Sequence, residues 1–228
     1  MEHSTEILYN NTRVYCSRVH RFGSDALLLA RFCVPGRGQR AADLCSGCGI
    51  VALEWHDRGH RGPCAAVELQ PEASALLARA VQEQGLDHIT PYCTDLRTFS
   101  VEAGRYDLCA CNPPYFTAGQ HSANAARAAA RHETDCALED VCACGFRLLK
   151  DGGKLALCHR PERLAEVLAA LRSARLEPKR LAFVKNSPGA APWLFLVEAQ
   201  KNRRTGLRLE PDVLLSAGAA LYGPGQQL

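Results

Sequence analysis

Residues 40–57, with the sequence RAADLCSGCGIVALEWHD, predict a strand, a glycine-containing loop and a helix in succession. Residues 40–44 are mostly apolar and predict a short buried strand, and residues 50–57 predict a helix. Between them, Gly47 and Gly49 let the backbone pass close to a ligand and adopt conformations that a Cβ atom disfavours. The helix that follows has free N–H groups at its N-terminus, where they can bind the same ligand. A strand, a glycine loop and a helix in this order predict an α/β domain with a ligand at the loop.

Apolar strand patterns alternate with helical patterns along the rest of the chain, which favours βαβ units and a mostly parallel sheet. Helices are predicted at residues 24–32, 71–84, 138–149 and 162–174, and further strands at residues 64–69, 88–93, 106–111, 154–159, 181–185 and 193–199. The predicted fold class is α/β, with a doubly wound, Rossmann-like sheet of seven mostly parallel strands. The last two strands form an antiparallel pair.

The composition is that of a globular protein with one sizeable core, since 47% of the 228 residues are apolar and 22% are charged. The longest uncharged apolar run is far shorter than the roughly 18 residues that suggest a membrane span. The acidic N-terminus, MEHSTE, is unlike a secretory leader, so we expect a cytoplasmic protein with no membrane partner. Residues 127–228 carry 16 Lys and Arg against 11 Asp and Glu. This basic half fits an RNA or DNA backbone, and it fits an ordinary solvated face equally well.

Twelve cysteines are a high count for a chain of this length. A cytosolic protein that can bury a proper core needs no disulfide framework. Only Cys45 and Cys48 have the C-x-x-C spacing, and both lie inside the glycine loop, whereas a zinc site needs two ligand pairs. We therefore interpret most of the cysteines as small apolar core residues and predict no metal site.

Three acidic residues stand at or just after the ends of three successive predicted strands: Asp43, Glu68 and Asp95. Glu68 lies nineteen residues after Gly49, close to the spacing of about 20 expected for a carboxylate that binds ribose hydroxyls. Asp95 can accept a hydrogen bond from an adenine amino group. Any one of these acids alone would be an ordinary solvated strand end, but three in this order indicate a nucleoside cofactor.

The glycine loop departs from the G-x-G-x-x-G fingerprint of dinucleotide-binding folds, because Cys45 and Ala52 stand where that fingerprint has glycine. It resembles instead the D-x-x-x-G-x-G loop of class I methyltransferases. This resemblance implies that the cofactor is S-adenosylmethionine and that S-adenosylhomocysteine is the product. The cofactor-binding residues predicted from the loop, the strand ends and the following motif are Asp43, Cys45, Gly47, Gly49, Glu68, Leu69, Asp95, Leu96 and Asn112.

The run Asn112-Pro113-Pro114-Tyr115 follows a predicted strand and is the most specific motif in the chain. Prolines supply carbonyl groups without N–H donors, so the Asn112 side-chain oxygen and the Pro113 carbonyl can both accept from one NH2 group. Tyr115 offers a flat face for a base, worth about 1–3 kcal/mol. The two acceptors turn the nitrogen lone pair towards the methyl donor, and proximity supplies much of the rate. These four residues are the predicted catalytic residues, acting on a planar amide or amino nitrogen.

Three further segments carry a closer resemblance, to the bacterial valine-tRNA adenine-N6 methyltransferases. They are residues 20–30 (HRFGSDALLLA), residues 124–133 (NAARAAARHE) and residues 159–164 (HRPERL). The resemblance implies methylation of the N6 of an adenine in tRNA, at position 37 of valine tRNA. It also implies that Phe22, Gly23 and Asp25 help form the cofactor pocket and that residues 127–133 lie on the substrate side.

By this resemblance, residues 1–213 are one methyltransferase domain, in which residues 1–39 cover the cofactor, and residues 214–228 are a tail. We expect a monomer whose partner is tRNA. The candidate RNA contacts are one aromatic residue and a set of basic residues: Phe116, Arg127, Arg131, Lys179, Arg180, Lys185, Lys201, Arg203 and Arg204. Among these, the sequence favours the cluster at residues 201–204.

Two other functions remain open from the sequence. Release-factor glutamine methyltransferases resemble this chain in the Asn-Pro-Pro-Tyr loop, but they carry a helical domain before the fold, and only about 40 residues precede the first predicted strand here. A methyltransferase-like RNA-binding protein without catalysis is the second. The intact Asn112, Pro113, Tyr115, Glu68 and Asp95 disfavour it.

Overall fold

The computed structural model describes residues 3–113 and 136–215. The strands in this part of the chain are β1 (His3–Ile7), β2 (Arg13–Ser17), β3 (Ala41–Leu44), β4 (Cys64–Glu68), β5 (Ile89–Cys93), β6 (Tyr106–Cys111), β7 (Leu149–His159), β8 (Leu176–Lys185), β9 (Leu194–Lys201), β10 (Arg208–Leu209) and β11 (Val213–Leu214). The helices are α1 (Ser24–Phe32), α2 (Ile50–Asp57), α3 (Pro71–Gln84), α4 (Leu138–Leu148) and α5 (Leu164–Ser173). None of these helices is long and apolar enough to cross a bilayer.

The main sheet has nine strands in the order β10-β8-β9-β7-β6-β3-β4-β5, with β11 also paired to β8. Strand β9 is antiparallel to both β7 and β8, and the other pairs are parallel. This confirms the predicted α/β class and the antiparallel pair. The two strands beyond the predicted seven, β10 and β11, are two residues long each, too short to produce a readable pattern.

The strand order reverses between β3 and β6. Strands β3, β4 and β5 succeed one another towards one side, and β6 then returns to pair with β3 on its other side. Ligands of open α/β sheets bind at such a switch point, outside the carboxyl ends of the strands. We call this end of the sheet, where β3, β4, β6 and β7 finish, the carboxyl edge. The opposite end is the amino edge.

Apolar side chains cover both faces of the sheet, as a doubly wound fold requires. Helices α1, α2 and α3 contribute to the core on one face, where Trp55 is fully buried. Helices α4 and α5 contribute to the core on the other face, where Phe195 is fully buried. Strands β3, β4 and β6 lie between these layers, which explains why they are continuous apolar runs rather than alternating patterns.

The N-terminal residues form a separate two-stranded antiparallel sheet, β1 and β2. The Tyr15 hydroxyl donates to the Glu83 carboxylate of α3 at 2.5 Å. The Asp57 carboxylate at the end of α2 accepts from the N–H groups of Asn10 and Thr12, at 2.9 and 3.1 Å. The sheet is therefore fixed against α2 and α3, and the chain leaves it towards α1.

Strand β7 begins at Leu149, five residues before the predicted start at residue 154. The pair Gly152-Gly153 is a turn signal in sequence, but here it lies within the strand, and the register against β6 shifts at the same place. The predicted boundary between the domain and its tail, at residues 213–214, falls inside β11. Residues 216–228 lie outside the described part of the chain.

Candidate active site

Two adjoining clefts lie at the carboxyl edge, on either side of the glycine loop. The first has a volume of about 280 Å³, and its walls include Glu68, Leu69, Asp95, Leu96 and Asn112. The second has a volume of about 270 Å³, and its walls include Phe22, Gly23, Asp25, Asp43, Asn112 and Pro113. Cys45 and Gly47 line both clefts. Of the predicted cofactor-binding residues, all but Gly49 therefore line this double cleft.

Gly49 acts behind the cleft wall, as the residue before α2. Its φ is +84°, in the left-handed region, and a Cβ atom added to it would lie 2.3 Å from Leu77 Cδ1 of α3. A side chain here would both strain the backbone and displace the Leu77 side chain. The close contact between Leu77 and the loop therefore depends on a glycine at this position.

Cys45 also has a left-handed backbone, with a φ of +55°. A non-glycine residue in this conformation costs about 1–2 kcal/mol. Contact with the Cys111 thiol, together with burial, raises the pKa of Cys45, so this cysteine is a protonated thiol at neutral pH. Its Sγ lies 3.9 Å from the Sγ of Cys136, which lines the first cleft. The loop therefore holds a neutral, compact side chain at a position that favours glycine.

The Glu68 carboxylate is fixed at the end of β4 by two backbone donors. The Gly47 N–H donates to Oε2 at 2.8 Å, and the Gln70 N–H donates to Oε1 at 2.9 Å. The residue is only 8% exposed. Each carboxylate oxygen can accept more than one hydrogen bond, so both keep capacity for the two hydroxyls of a ribose.

Asp95 lines the first cleft and forms an ion pair with Arg97, at 2.5 Å between Oδ2 and Nη2. Hydrogen bonding to Arg97 lowers the pKa of the Asp95 carboxyl. The Asp95 carboxylate is therefore an ionised hydrogen-bond acceptor, although Arg97 already uses some of its lone pairs. A ligand amino group would bind this carboxylate alongside the Arg97 guanidinium.

Asp43 is 1% exposed at the end of β3, and its Oδ2 accepts from the Ala52 N–H of α2 at 3.2 Å. Burial raises its pKa to about 8, with the Ala52 hydrogen bond opposing and the Glu68 charge assisting the rise. In the free protein this side chain is mostly protonated at neutral pH. It ties the strand to the helix across the glycine loop.

Asn112 lies where the two clefts meet, directly after β6. Its Oδ1 accepts from the Cys158 thiol of the neighbouring strand β7 at 3.1 Å, and Cys158 is fully buried. This contact orients the amide, and the oxygen has a second lone pair available for another donor. Pro113, in the wall of the second cleft, is buried beside it. Pro114, Tyr115 and Phe116 lie outside the described residues.

Ser46 places a hydroxyl group in the wall of the second cleft. Its Oγ is buried in the glycine loop and has no hydrogen-bond partner among the described residues. The residue lines the second cleft next to Gly47, where an added Cβ atom would meet nothing within 4 Å. Buried hydroxyls are normally hydrogen-bonded, so an orphan in a cleft wall is consistent with a polar ligand group there.

Comparison with known proteins agrees with this geometry. Residues 6–168 match the Methyltransferase small domain family. A tRNA1(Val) (adenine(37)-N6)-methyltransferase of Tolumonas auensis is 32% identical over 180 residues, covering 78% of this chain and 75% of the relative. The chain belongs to this methyltransferase family. A relative of the same name from Porphyromonas gingivalis is 29% identical over 187 residues, covering 78% of this chain and 73% of the relative.

Solved structures of methyltransferases share the fold. A predicted O-methyltransferase from Agrobacterium tumefaciens superposes with a TM-score of 0.69 at 22% identity, covering 88% of this chain and 92% of that protein. A geranyl diphosphate methyltransferase in complex with SAM superposes with a TM-score of 0.57 at 15% identity, covering 77% of this chain and 84% of that protein. At these identities the likeness shows the fold alone.

The basic cluster favoured by the sequence for RNA binding lies away from this methyltransferase cleft. Strand β9 runs antiparallel to β7, so its last residue, Lys201, is at the amino edge. The Lys201 ammonium donates to the carbonyls of Phe146 and Leu149, both at 2.7 Å, and lies over the Phe146 ring. Arg203 pairs with Asp151 at 2.8 Å. These two charges hold parts of the fold together.

The remaining RNA candidates are paired side chains, residues that are not described, and Arg204, which is exposed and in no ion pair among the described residues. Lys185 is at the carboxyl edge, but it pairs with Asp212 at 2.5 Å. Arg180 pairs with Glu198 and Glu210, and Lys179 donates to the carbonyl of Arg204. Arg127 and Arg131 lie outside the described residues.

All twelve cysteines are described and free of disulfides, and nine of them are buried. This confirms that most of them are small core residues. In the described part of the chain, no group of three or more His, Cys, Asp or Glu side chains could hold a metal ion.

Four lining residues of the double cleft were not predicted from the sequence: Ser46, Val19, Arg21 and Cys136. Ser46 is inside the quoted glycine loop, but only its burial without a partner marks it as a candidate. Val19 and Arg21 are far from the loop in sequence, and their position depends on how the N-terminal sheet packs. Neither the burial of Ser46 nor the packing of the N-terminal sheet can be deduced from a single sequence.

Proposed function

We propose that this protein transfers a methyl group from S-adenosylmethionine to the exocyclic N6 of an adenine in tRNA, at position 37 of valine tRNA. The position of Asn112 carries the proposal: its amide oxygen lies at the junction of the two clefts, at the end of β6, in a chain of this family. The family relationship supports the substrate, since the relatives in the comparison carry the name tRNA1(Val) (adenine(37)-N6)-methyltransferase.

The residues of the double cleft fit S-adenosylmethionine. Glu68, held by two backbone donors, would bind the ribose hydroxyls of the cofactor. Asp95 would accept a hydrogen bond from the amino group of the cofactor's adenine. The methionyl part would lie in the second cleft, where Ser46 Oγ lacks a partner among the described residues. When bound, the cofactor supplies a methyl group whose bond to the sulfonium sulfur breaks, with its electron pair, as the new bond to nitrogen forms.

The protein's own contribution is to hold the target nitrogen in position. The Asn112 side-chain oxygen and the Pro113 carbonyl would each accept a hydrogen bond from the amino group of the target adenine in the tRNA. This turns the nitrogen lone pair away from the ring and towards the methyl group, and the positioning lowers the barrier. The Cys158 thiol keeps the Asn112 amide in one orientation. The proton of the methylated nitrogen leaves to solvent, so the reaction requires neither a general base nor a metal ion.

The proposal also includes the bounds of the domain, its cellular compartment and its oligomeric state. Val19, Arg21, Phe22 and Asp25 line the clefts, which supports the interpretation of residues 1–39 as a segment of the same domain that covers the cofactor. Residues 1–213 would then form one methyltransferase domain. We propose that it acts in the cytoplasm as a monomer.

The test is methyl transfer from labelled S-adenosylmethionine to total tRNA of a strain that lacks this enzyme, followed by mass spectrometry of the nucleosides. We expect N6-methyladenosine to appear in valine tRNA. Transfer to the glutamine of a release factor instead would favour the glutamine methyltransferase alternative. Cofactor and tRNA binding without transfer to either acceptor would favour a non-catalytic RNA-binding protein.

A further inference from the structure

A preformed turn stands at the rim of the first cleft, between β2 and α1. The Ser17 hydroxyl accepts from the N–H groups of Val19 and His20, at 3.3 and 3.0 Å, and the Ser17 N–H donates to the His20 carbonyl at 3.0 Å. Because three hydrogen bonds already fix the backbone, a partner that binds here pays little to order it.

The turn exposes an apolar and a basic side chain next to each other. Val19 is 79% exposed, the highest value among the large apolar side chains of the described residues, and Arg18 beside it is exposed as well. Val19, His20 and Arg21 line the same cleft as Asn112. An exposed apolar residue between two arginines therefore lies at the rim of the cleft that contains Asn112.

The two arginines of this turn differ from most basic side chains described above, because no carboxylate of the described residues pairs with either of them. The nearest acidic contact in the turn belongs to His20, whose Nε2 lies 3.5 Å from the Glu72 carboxylate. Lys185, Arg180 and Arg203, in contrast, are each neutralised by an acidic partner. Unpaired positive charge at a cleft entrance attracts a polyanion.

We propose that the turn at residues 17–21 binds the sugar–phosphate backbone of the substrate tRNA next to the target adenosine. Arg18 and Arg21 contact phosphates, and Val19 packs against the sugar or base of a flanking nucleotide. This inference rests on the proposed function, since it names the surface that delivers the nucleotide to Asn112. It also moves the RNA-binding surface from the amino edge, favoured by the sequence, to the carboxyl edge.

The test compares charge reversal at the two edges, with Arg18→Glu against Arg204→Glu. Arg204 is a matched control, because it is also exposed, is in no ion pair among the described residues and belongs to the cluster at residues 201–204. Binding of unmodified tRNA would be measured by fluorescence anisotropy over a range of salt concentrations. We expect Arg18→Glu to weaken binding about tenfold or more and to reduce the salt slope by about one or more, because phosphate contacts set that slope.

We expect Arg204→Glu to bind tRNA as the wild-type protein does, with the same slope. Equal slopes for the two variants, or a larger effect of Arg204→Glu, would overturn the inference. Thermal melting and cofactor affinity of Arg18→Glu serve as folding controls, and we expect both to be unchanged because Arg18 is outside the cleft wall. Val19→Ser should raise the KM for tRNA without changing the salt slope, since it removes no charge.

The experiment separates this inference from the function it rests on. Direct tRNA binding tests the surface, whereas methyl transfer by the wild-type protein tests the reaction. Wild-type protein that binds tRNA through the turn but transfers no methyl group to it would contradict the proposed function and support the surface.

Discussion

The two edges of the sheet use the same kinds of residue for different purposes. At the amino edge, Lys201, Arg203 and Asn202 are bound to carbonyls and carboxylates of the protein. At the carboxyl edge, Ser46 and Arg18 have no such partner among the described residues, and the Asn112 amide oxygen accepts only from Cys158 among them. Residue type therefore does not distinguish a functional group from a structural one. What distinguishes them is whether the fold has already used their hydrogen bonds and charges.

The largest expected effect contrasts two asparagines. Asn112→Ala should lower kcat by roughly 100-fold or more, because it removes an acceptor that orients the reacting nitrogen. Cofactor affinity should change little, since the carboxylate of Glu68 and the glycine loop remain. Asn202→Ala, at the amino edge, removes only a hydrogen bond to Asp151 and should leave kcat unchanged. Steady-state kinetics with saturating cofactor and calorimetric cofactor binding would measure both.

An equal loss of cofactor affinity and turnover in Asn112→Ala would contradict the assigned role and mean that the residue mainly shapes the pocket. A Cys158→Ala variant sharpens the same contrast. It removes the thiol that orients the amide, so we expect a smaller fall in kcat than in Asn112→Ala, with partial recovery in Cys158→Ser.

The next effect contrasts two glycines with positive φ at the two ends of α2. A Cβ atom added to Gly49 would lie 2.3 Å from Leu77 Cδ1, whereas one added to Gly59, with a φ of +99°, would meet nothing within 4 Å. Gly59→Ala should lower the free energy of unfolding by about 1–2 kcal/mol, from backbone strain alone. Gly49→Ala should lower it by about 2–5 kcal/mol, because a clash adds to that strain.

Chemical denaturation of the two glycine variants measures both losses. If Gly49→Ala were no more destabilised than Gly59→Ala, the close contact with Leu77 would not be what requires a glycine in the loop.

The last contrast concerns how the free energy of unfolding depends on pH, through one buried group at each edge of the sheet. Burial raises the pKa of Asp43 to about 8, so between about pH 4 and pH 8 the folded protein holds a proton that the unfolded chain has lost. The free energy of unfolding should therefore fall as the pH rises through this window. Burial lowers the pKa of His56, at the amino edge, to about 4. The contribution of His56 to the free energy of unfolding should therefore rise between about pH 4 and pH 6.5 and stay constant at higher pH.

Thermal melting of the free protein between pH 6.5 and 8 isolates the Asp43 contribution from that of His56. Asp43→Asn should flatten the decline in this range, and His56→Phe should leave it in place while flattening the slope below pH 6.5. An unchanged decline in Asp43→Asn would show that another group is responsible.

Much of the fold could be predicted because the decisive patterns are local. Helices α1, α2 and α3 and strand β6 have the predicted bounds, since apolar spacing, Pro71 and the residues at the ends mark them in the sequence. The start of β7 could not be predicted, because the Gly152-Gly153 pair has the same appearance in a turn and in a strand with a register shift. Pairing with β6 decides between the two.

The chemistry of this protein can be recognised from short motifs: a glycine loop, acids at successive strand ends and an Asn-Pro-Pro-Tyr loop, each a few residues long. Which basic residues are available to a substrate depends on the three-dimensional fold. The cluster at residues 201–204 is basic in sequence, but the antiparallel direction of β9 places it at the amino edge and commits Lys201 and Arg203 to internal contacts. Strand direction and pairing are long-range properties, and a charge is free for RNA only where the fold leaves it unpaired.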